Sequence, residues 1–455
     1  MMLVSVDPTS GEEIARWDEL TPAELEDALA ASHRAFEAWR RTSFEIRQGL
    51  LRRVATNLRD GAEALARLMA TEMGKPVAEG RAEVEKCAWV CEHYAEHGEA
   101  DLASVDVATE ARRSFVAHRP LGPVLAVMPW NFPLWQVFRF AAPAVMAGNT
   151  ALLKHASNVT GCALEIERLF ATAGAPPGLF TTLRLGSRRV GAVIDDRRVA
   201  AVTLTGSTPA GKAVAERAGR ALKKTVLELG GSDPYVVLED ADVELAARVG
   251  AVSRLINSGQ SCIAAKRFVV VAARRAELEE RLVAQMASVA MGDPRHEDTR
   301  LGPQARHDLR DDLHRQVTTS LAAGARCLLG GELPEGPGAF YPATVLGGVG
   351  PGMAAYDEEL FGPVAAVIPV ADEGQALAVA NDTVFGLGAA IFSRDQERAA
   401  ALALEHLEAG CCFVNDFVRS DPRLPFGGVK ESGWGRELGA WGIREFTNVK
   451  TIWVA

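Results

Sequence analysis

The sequence predicts an α/β protein built on doubly wound, parallel sheets. Two stretches, residues 122–204 and 234–415, alternate short apolar segments of strand length with longer segments of helical period. Parallel strands need a crossover connection between them, so this alternation is typical of helices packed on both faces of a parallel sheet. A chain of 455 residues accommodates two such sheets in two or three domains.

A helical region precedes the first of these stretches. Residues 21–99 place Ala, Leu and charged side chains at three- and four-residue spacing, which predicts amphipathic helices. Residues 113–118 then alternate polar and apolar side chains, as an exposed strand does. The segments expected next are strand 122–128, helix 133–146, strand 150–153, helix 161–173, helix 190–195, strand 199–204 and helix 209–218.

The second stretch starts with the apolar segment 234–238. It is expected to continue as helix 243–256 and strand 267–271, with Gly/Pro-rich loops at 330–342 and 347–352. Cys411 and Cys412 are expected to pack within a buried strand.

The chain's last segment, residues 446–454, has the alternation of a short strand. Such a strand is not stable alone. We expect it to pair either with residues 113–118 of the same chain or with the sheet of a partner subunit.

The composition of the chain limits which molecules it is expected to bind and where it is expected to be located. The 49 basic and 59 acidic residues give a net charge of -10 without a Lys/Arg cluster, which disfavours nucleic acid or an anionic membrane as the main partner. No apolar run is long enough to cross a bilayer, and no signal peptide is expected. Seven irregularly spaced cysteines do not make a disulfide framework, so a cytoplasmic location is expected.

A metal site is not expected. Cys87, Cys91, His93 and His97 are close in sequence, but on one helix the histidines point away from the cysteine face and the four cannot converge.

Three residues have the chemistry for covalent attack on a carbonyl. Cys262 follows the polar turn 257–259, where backbone N–H groups and water can reach a thiolate. Glu228 stands beside an apolar run and a glycine pair, where burial raises a carboxyl pKa toward the range of a general base. Asn131 lies between two prolines and can offer a neutral amide to an oxyanion.

The signal for a nucleotide is weaker. No Gly-x-Gly-x-x-Gly follows the first strand, but Gly206 and Ser207 stand between a strand and a helix, where N–H groups can meet a pyrophosphate. Lys154, at the end of a strand, could reach a ribose hydroxyl. On local grounds Ser207 could equally be an N-cap and Lys154 a surface residue.

Seven motifs in order resemble the NAD(P)-dependent aldehyde dehydrogenases over nearly the whole chain. They are Pro129-Trp130-Asn131-Phe132-Pro133, Lys154, Thr205-Gly206-Ser207, Glu228-Leu229-Gly230-Gly231, Gly259-Gln260-Ser261-Cys262, Glu359-Leu360-Phe361-Gly362-Pro363 and Pro425-Phe426-Gly427-Gly428-Val429-Lys430-Glu431-Ser432-Gly433. Trp135-Gln136, Lys154-His155-Ala156 and Ser420-Asp421-Pro422-Arg423 are similar to the short succinate-semialdehyde dehydrogenases.

The resemblance implies an aldehyde dehydrogenase-like fold, with two doubly wound parallel-sheet domains and a small β arm. Residues 1–101 and 121–229 would form the NAD(P)-binding domain and residues 230–418 the catalytic domain. Residues 102–120 and 437–455 would form an oligomerisation arm, in a homodimer or homotetramer.

The resemblance also implies a mechanism. Cys262 would attack the aldehyde, and the Asn131 amide with the Cys262 N–H would hold the oxyanion. Hydride transfer to the nicotinamide would leave a thioester, which a water activated by Glu228 would hydrolyse to the acid. Glu228 favours hydrolysis over acyl transfer to coenzyme A.

For the cofactor, the resemblance gives Glu359 to the nicotinamide ribose. Phe361 would pack near the nicotinamide, and Lys154 and Ser207 would lie in the adenosine and pyrophosphate region. Trp130 and Gly206 would also bind the cofactor. Ser157 stands where many NAD-preferring relatives have a Glu that repels a 2'-phosphate. The cofactor is therefore expected to be NAD or NADP.

For the substrate, the resemblance points to Arg139 as a clamp for a carboxylate, in a tunnel shared with Phe132 and Trp135. Ile256 replaces a second arginine of some relatives, and Arg419 or Arg423 could supply that charge. A structural ion pair is the alternative for Arg139. Another aliphatic or aromatic aldehyde, coenzyme A acylation and a non-enzymatic binding protein on the same fold also stay open.

Overall fold

A computed structural model describes residues 2–455 and begins with an antiparallel hairpin. Its strands are β1 (Met2–Val6) and β2 (Glu13–Asp18). The Ser5 hydroxyl donates a 2.7 Å hydrogen bond to the carbonyl of Asn158 and so ties the hairpin to the first sheet's domain. The sequence analysis missed this hairpin.

The predicted helical region is confirmed. It forms α1 (Pro22–Trp39), α2 (Phe44–Asp60), α3 (Ala62–Met73) and α4 (Val77–Asp101). Thr21 and Glu24 form a capping box at the start of α1, which satisfies N–H groups that the helix leaves open. Two strands follow α4, namely β3 (Val105–Asp106) and β4 (Arg113–Pro120).

The first sheet is mostly parallel. Its region contains β5 (Pro123–Met128), α5 (Trp135–Ala147), β6 (Thr150–His155), α6 (Thr160–Thr172), β7 (Phe180–Thr182), α7 (Val190–Asp195), β8 (Ala201–Thr205), α8 (Thr208–Arg220) and β9 (Lys224–Glu228). The strand order β9-β8-β5-β6-β7 is parallel throughout. This is the doubly wound arrangement that the alternation predicts.

The second sheet has seven strands. Its region contains β10 (Pro234–Val237), α9 (Val243–Leu255), β11 (Arg267–Val271), α10 (Arg275–Ala287), α11 (His307–Ala322), β12 (Arg326–Leu329), β13 (Thr344–Gly347), α12 (Ala354–Asp357), β14 (Val364–Val370), α13 (Glu373–Asn381), β15 (Phe385–Gly386), β16 (Gly388–Phe392), α14 (Gln396–His406) and β17 (Cys411–Val414). The order is β12-β13-β14-β11-β10-β16-β17, and only the pairing of β12 with β13 is antiparallel. The α/β class with two parallel sheets is confirmed.

Two strands of the C-terminal region pair with strands from the first half of the chain. It forms β18 (Val429–Lys430), β19 (Gly433–Trp434), α15 (Gly439–Glu445) and β20 (Thr447–Val454). β19 pairs antiparallel with β9 at the edge of the first sheet. β20 pairs antiparallel with β4 in a three-stranded sheet, so the terminal strand takes the same-chain partner of the two expected.

Each large sheet has an apolar layer on both faces because side chains alternate along a strand. On β5, Val124 belongs to the cluster that includes side chains of α2, α3 and α4, and Leu125 to the cluster on the opposite face, which includes Leu25 and Leu29 of α1. On β11, Phe268 and Val269 divide in the same way. The domain boundaries given above stay a prediction.

Two further expectations concern single features. Cys411 is only partly buried and Cys412 is exposed, because β17 is an edge strand; the expectation of a buried strand was wrong. No helix within residues 2–455 is long and apolar enough to cross a membrane.

Candidate active site

The carboxyl ends of three neighbouring strands bring the first group of predicted residues together. Asn131 lies just beyond β5, Gly206 just beyond β8, and Glu228 is the last residue of β9. These strands are parallel neighbours, so their ends share one edge of the sheet, where ligands bind in open α/β sheets.

Cys262 approaches this edge from the second sheet's domain, on a segment that begins with a left-handed turn. Asn257, Ser258 and Gly259 have φ values of 55°, 55° and 77°. A Cβ on Gly259 would lie 2.2 Å from the carbonyl carbon of Gly362, so only glycine fits there. The first two residues adopt a conformation that is costly for any side chain other than glycine.

Buried hydrogen bonds hold the turn in place. A carboxylate oxygen of Glu79 accepts the N–H of Asn257 at 2.6 Å. The Ser258 hydroxyl oxygen accepts the N–H of Gly302 at 2.8 Å. Because these partners come from α4 and from the loop before α11, the turn is fixed by elements distant in sequence.

Asn131 is joined to the same turn. Its side-chain amide donates to the carbonyl of Gln260 at 3.0 Å, and the Asn257 amide donates to the carbonyl of Asn131 at 2.6 Å. The second proton of the Asn131 amide has no acceptor among residues 2–455. The structure therefore brings Asn131 and the Cys262 segment together, as an oxyanion site requires.

A buried acid on α4 fixes the start of α5. One oxygen of Glu83 accepts the N–H groups of Leu134 and Trp135, both at 2.9 Å. Its other oxygen pairs with the Lys75 ammonium, which lies 3.8 Å from the ring centroid of Phe132. Lys75 and Glu83 are buried, so this pair replaces water as the partner of the first turn.

Cys262 and Gln136 line two cavities. The Trp130 cavity has a volume of about 250 Å³, and its lining includes Trp130, Asn131, Gly206, Ser207, Glu359 and Phe361. The Trp135 cavity has a volume of about 280 Å³, and its lining includes Phe132, Trp135, Arg139 and Arg419. The nucleophile expected from sequence is thus open to two spaces, one holding most of the residues predicted for the cofactor and the other most of those predicted for the substrate.

The Trp130 cavity contains groups suited to a dinucleotide. The rings of Trp130 and Phe361 meet edge to face at 5.8 Å. Glu359 accepts the N–H of Gly231 at 3.1 Å, and its carboxylate lies 3.2 Å from the Lys266 ammonium. Lys266 was missed by the sequence analysis, and it also donates to the carbonyl of Cys262 at 2.6 Å.

Two predicted cofactor residues lie outside the lining of that cavity. Lys154 is at the end of β6, where burial lowers the pKa of its ammonium. Ser157 is exposed and begins the short 3-10 helix Ser157–Val159.

Glu228 is buried, and its carboxylate oxygens have no hydrogen-bond partner within residues 2–455. Burial raises the pKa of Glu228 well above its ordinary value; the Arg139 charge opposes this and the Glu437 carboxylate adds to it. A carboxylate whose pKa is raised is a stronger base than an exposed one, as a group that must take a proton from water needs to be.

Arg139 has an internal partner. Its guanidinium forms a buried ion pair with Glu437, lies 4.6 Å from the ring centroid of Phe426 and is 3.4 Å from the Thr205 hydroxyl. Of the two roles left open for Arg139, the geometry favours the structural ion pair over a free carboxylate clamp. Glu437 was missed, because nothing local in its sequence indicates that it is buried opposite an arginine of α5.

The other two arginines are also paired. Arg419 lies 2.7 Å from Asp416 and lines the Trp135 cavity. Arg423 lies 2.7 Å from Asp421, stacks over Trp89 and is absent from the lining of that cavity. The structure therefore does not bring Arg423 to the Trp135 cavity, since Asp421 pairs with it outside the lining, and its role at the substrate stays a prediction.

The profile of the aldehyde dehydrogenase family matches residues 2–452. The chain belongs to this family. A succinate semialdehyde dehydrogenase [NAD(P)+], Sad, of Escherichia coli (strain K12) is 48% identical over 99% of this chain and 97% of its own length. A probable succinate-semialdehyde dehydrogenase [NADP(+)] of Synechocystis is 47% identical over the full length of both chains.

Solved structures give the same family. The succinic semialdehyde dehydrogenase of Streptococcus pyogenes in complex with NADP+ superposes with a TM-score of 0.97, at 38% identity and 99% coverage of both chains. The structure of Gox0499 superposes with a TM-score of 0.98, at 37% identity and full coverage of both chains. The expected aldehyde dehydrogenase-like fold is confirmed.

The Glu83 pair yields a first prediction. Glu83→Leu leaves the Lys75 charge buried without its partner and removes the acceptor for two helix N–H groups, so we expect a loss of about 3–5 kcal/mol of stability. Urea unfolding of the apoenzyme measures this. Glu85→Gln, on the exposed face of α4, is the matched control and should cost less than about 1 kcal/mol. Equal unfolding midpoints for the two variants would contradict a structural role of the Lys75–Glu83 pair.

A second prediction concerns the thiol. Burial raises the pKa of Cys262 to about 12, while the charges of Arg139 and Lys266 oppose this. A raised pKa means that the protonated form persists to higher pH. Alkylation of Cys262 by iodoacetamide in the ligand-free enzyme, followed by mass spectrometry, should therefore keep rising from pH 7 to 10. A short unstructured cysteine peptide in the same tube, with a thiol pKa of about 8.5, should instead flatten as the pH approaches 10. A plateau for Cys262 below pH 8 would show a lowered pKa instead.

Proposed function

We propose that this aldehyde dehydrogenase oxidises succinic semialdehyde to succinate with NAD or NADP. The observation that carries the proposal is the position of Cys262 at the junction of the Trp130 and Trp135 cavities. A nucleophile there can hold an aldehyde from one side while a dinucleotide occupies the other. The relatives named above, which match over the whole chain, support the choice of substrate.

The residues around the Trp130 cavity fit a nicotinamide dinucleotide. A Cβ on Gly206 would meet only the Leu204 side chain, at 3.6 Å, so the backbone there leaves room for a ligand. No side chain within residues 2–455 caps α8, and its first N–H groups can receive a pyrophosphate. Glu359 can accept ribose hydroxyls, and Trp130 and Phe361 can flank the nicotinamide.

The residues proposed for the adenosine end of the cofactor suit both NAD and NADP. Ser157 is an exposed neutral residue and does not repel a 2'-phosphate. Lys154 supplies a positive charge nearby at the end of β6. The relatives' names, which include NAD(P)+ and NADP(+), support NAD or NADP as the cofactor.

Oxidation begins at Cys262. As a thiolate, its sulfur adds to the aldehyde carbon to give a thiohemiacetal, whose oxyanion accepts hydrogen bonds from the second N–H of the Asn131 amide and from the Cys262 N–H. The bound nicotinamide supplies the acceptor for the hydride. Loss of the hydride leaves the acyl group attached to the Cys262 sulfur as a thioester.

Glu228 completes the reaction by taking a proton from a water that attacks the thioester. Its carboxylate has no hydrogen-bond partner in the described part of the chain, so a water can take that place. Collapse of the tetrahedral intermediate breaks the carbon–sulfur bond, releases the acid and restores the Cys262 thiolate, and the proton on Glu228 passes to solvent. Because Glu228 supplies the base for water, hydrolysis is favoured over acyl transfer to coenzyme A.

We further propose that the chain assembles as a homodimer or homotetramer through its β arm. β20 lies at an edge of its sheet, with Val449 and Trp453 exposed, as at a surface that a second copy covers. A cytoplasmic location is part of the proposal, since all seven cysteines are free thiols, as in a reducing compartment.

A steady-state screen tests the proposed function. Succinic semialdehyde, butanal and benzaldehyde are each assayed with NAD and with NADP, with and without coenzyme A. The highest kcat/KM should belong to succinic semialdehyde, and its product should be succinate with or without coenzyme A. A higher kcat/KM for another aldehyde would replace the substrate. A coenzyme A thioester as product would replace the hydrolytic route, and no turnover of any aldehyde would favour a binding protein.

The third prediction tests the nucleophile. Cys262→Ala should lower aldehyde oxidation to background, because no thioester can form, while NADP binding followed by fluorescence stays close to that of wild type. Cys327→Ala, at an exposed thiol remote from both cavities, is the control. Substantial residual turnover in Cys262→Ala would remove Cys262 from its role.

The fourth prediction separates the two halves of the reaction. Glu228→Gln cannot take a proton from water, so acylation should survive and deacylation should fail. Rapid mixing should show a burst of reduced cofactor of about one per active site, followed by a near-zero steady state. Loss of the burst as well would mean that Glu228 acts before hydride transfer, for example in activating the Cys262 thiol.

A further inference from the structure

The Trp135 cavity contains a cation that the sequence analysis did not single out. Lys86, on α4, lines this cavity together with Cys262. Its ammonium donates a 3.0 Å hydrogen bond to the Ser420 hydroxyl and lies 4.3 Å from the ring centroid of Trp135. Both neighbours are buried, so Lys86 is held in one place by an apolar ring and one hydroxyl group.

Lys86 differs from the arginines near the cavity in having no counter-charge at contact distance. Arg139, Arg419 and Arg423 each form an ion pair with a carboxylate of this chain. No carboxylate of residues 2–455 lies within 4.0 Å of the Lys86 ammonium. A substrate carboxylate would therefore have to displace a partner at each arginine but not at Lys86.

Hydrogen-bond capacity at this point is also unused. An ammonium has three protons, and the hydrogen bond to Ser420 accounts for one of them. The Ser420 hydroxyl oxygen accepts from Lys86 and, at 3.1 Å, from the indole N–H of Trp135. With both bonds accepted, the hydroxyl proton of Ser420 remains free to donate. Two neighbouring donors, one of them charged, match the two oxygens of a carboxylate.

The electrostatics agree with this geometry. Burial, together with the charge of Arg139, lowers the pKa of the Lys86 ammonium to about 8, and the nearby acids Asp421 and Glu83 do not offset it. A cation in such a place is under-compensated. A bound carboxylate would supply the missing charge and raise the pKa of the ammonium again.

We propose that Lys86, assisted by Ser420, binds the distal carboxylate of an ω-carboxylated aldehyde whose carbonyl is attacked by Cys262. This inference rests on the proposed function and names the residue that sets its substrate class. Arg139 then acts through its pair with Glu437, beside Glu228, instead of holding substrate. Lys86 is a specificity-determining residue, since it would touch the end of the substrate remote from the reacting carbon.

The fifth prediction compares two aldehydes of similar length on Lys86→Met. This change keeps the apolar stem and removes the charge. We expect the ratio of kcat/KM for succinic semialdehyde to kcat/KM for butanal to fall about 10- to 100-fold, mainly through KM, the range for losing a hydrogen bond to a charged group. Lys86→Arg keeps a cation and should recover most of the ratio. Circular dichroism and NADP binding check that each variant is folded.

Arg139→Met is the matched comparison within the same cavity. Loss of the Arg139 guanidinium removes the partner of the buried Glu437 and disturbs the surroundings of Glu228. Activity toward both aldehydes should therefore fall alike. If Arg139→Met instead lowers the ratio and Lys86→Met leaves it within about threefold of wild type, Arg139 is the carboxylate clamp and the inference on Lys86 is overturned.

A second measurement separates failure of this inference from failure of the proposed function. Succinate should inhibit butanal oxidation competitively in the wild type and much less in Lys86→Met. If the wild type prefers butanal to succinic semialdehyde, the proposed substrate fails, yet Lys86-dependent inhibition by succinate would still support a carboxylate site. Equal inhibition of wild type and Lys86→Met would overturn that site.

Discussion

The left-handed turn at residues 257–259 is the constraint on which the site depends. Two consecutive residues other than glycine, Asn257 and Ser258, adopt positive φ, at a cost of about 1–2 kcal/mol each. Such a conformation persists only where the surroundings over-determine it. Here Glu79, Gly302 and Asn131 supply those surroundings through buried hydrogen bonds. As a result, the Cys262 segment extends from the second sheet's domain toward the carboxyl edge of the first sheet.

Buried charges on α4 join this turn to the other half of the site. Glu79 bonds the turn before Cys262, and Glu83, one helical turn later, bonds the first N–H groups of α5 after Asn131. Lys75 neutralises Glu83 and packs on Phe132. One helix therefore fixes the nucleophile segment and the oxyanion segment relative to each other. These groups are buried, so a movement that broke one of the contacts would leave an uncompensated charge or dipole. This free-energy penalty keeps the arrangement rigid.

Much of the predicted site could be located along the chain from the sequence, because its motifs are local. Asn131, Gly206 and Glu228 each lie at or just beyond the end of a strand that the apolar pattern indicates, whereas Glu359 entered only through the family resemblance. The hairpin β1–β2 was missed, although its strands are short and regular, because its stability comes from contacts such as that of Ser5 with Asn158, far along the chain. The roles of the predicted site residues stay a prediction until the variants are assayed.

What the sequence determined by itself is the alternation of strands and helices, the α/β class and the set of reactive side chains, since these depend on local period and on residue chemistry. What only the tertiary structure decided is which charges meet. An arginine can serve either as a carboxylate clamp or as half of an ion pair, so the residue type of Arg139 does not decide its role. Only the fold brings Glu437 against it. Likewise Lys86 is one more charged residue of an amphipathic helix in the sequence, and only the fold places it at a cavity with Ser420 and without a carboxylate. Coulomb energy and desolvation depend on distance and burial in space, and neither is a function of position along the chain.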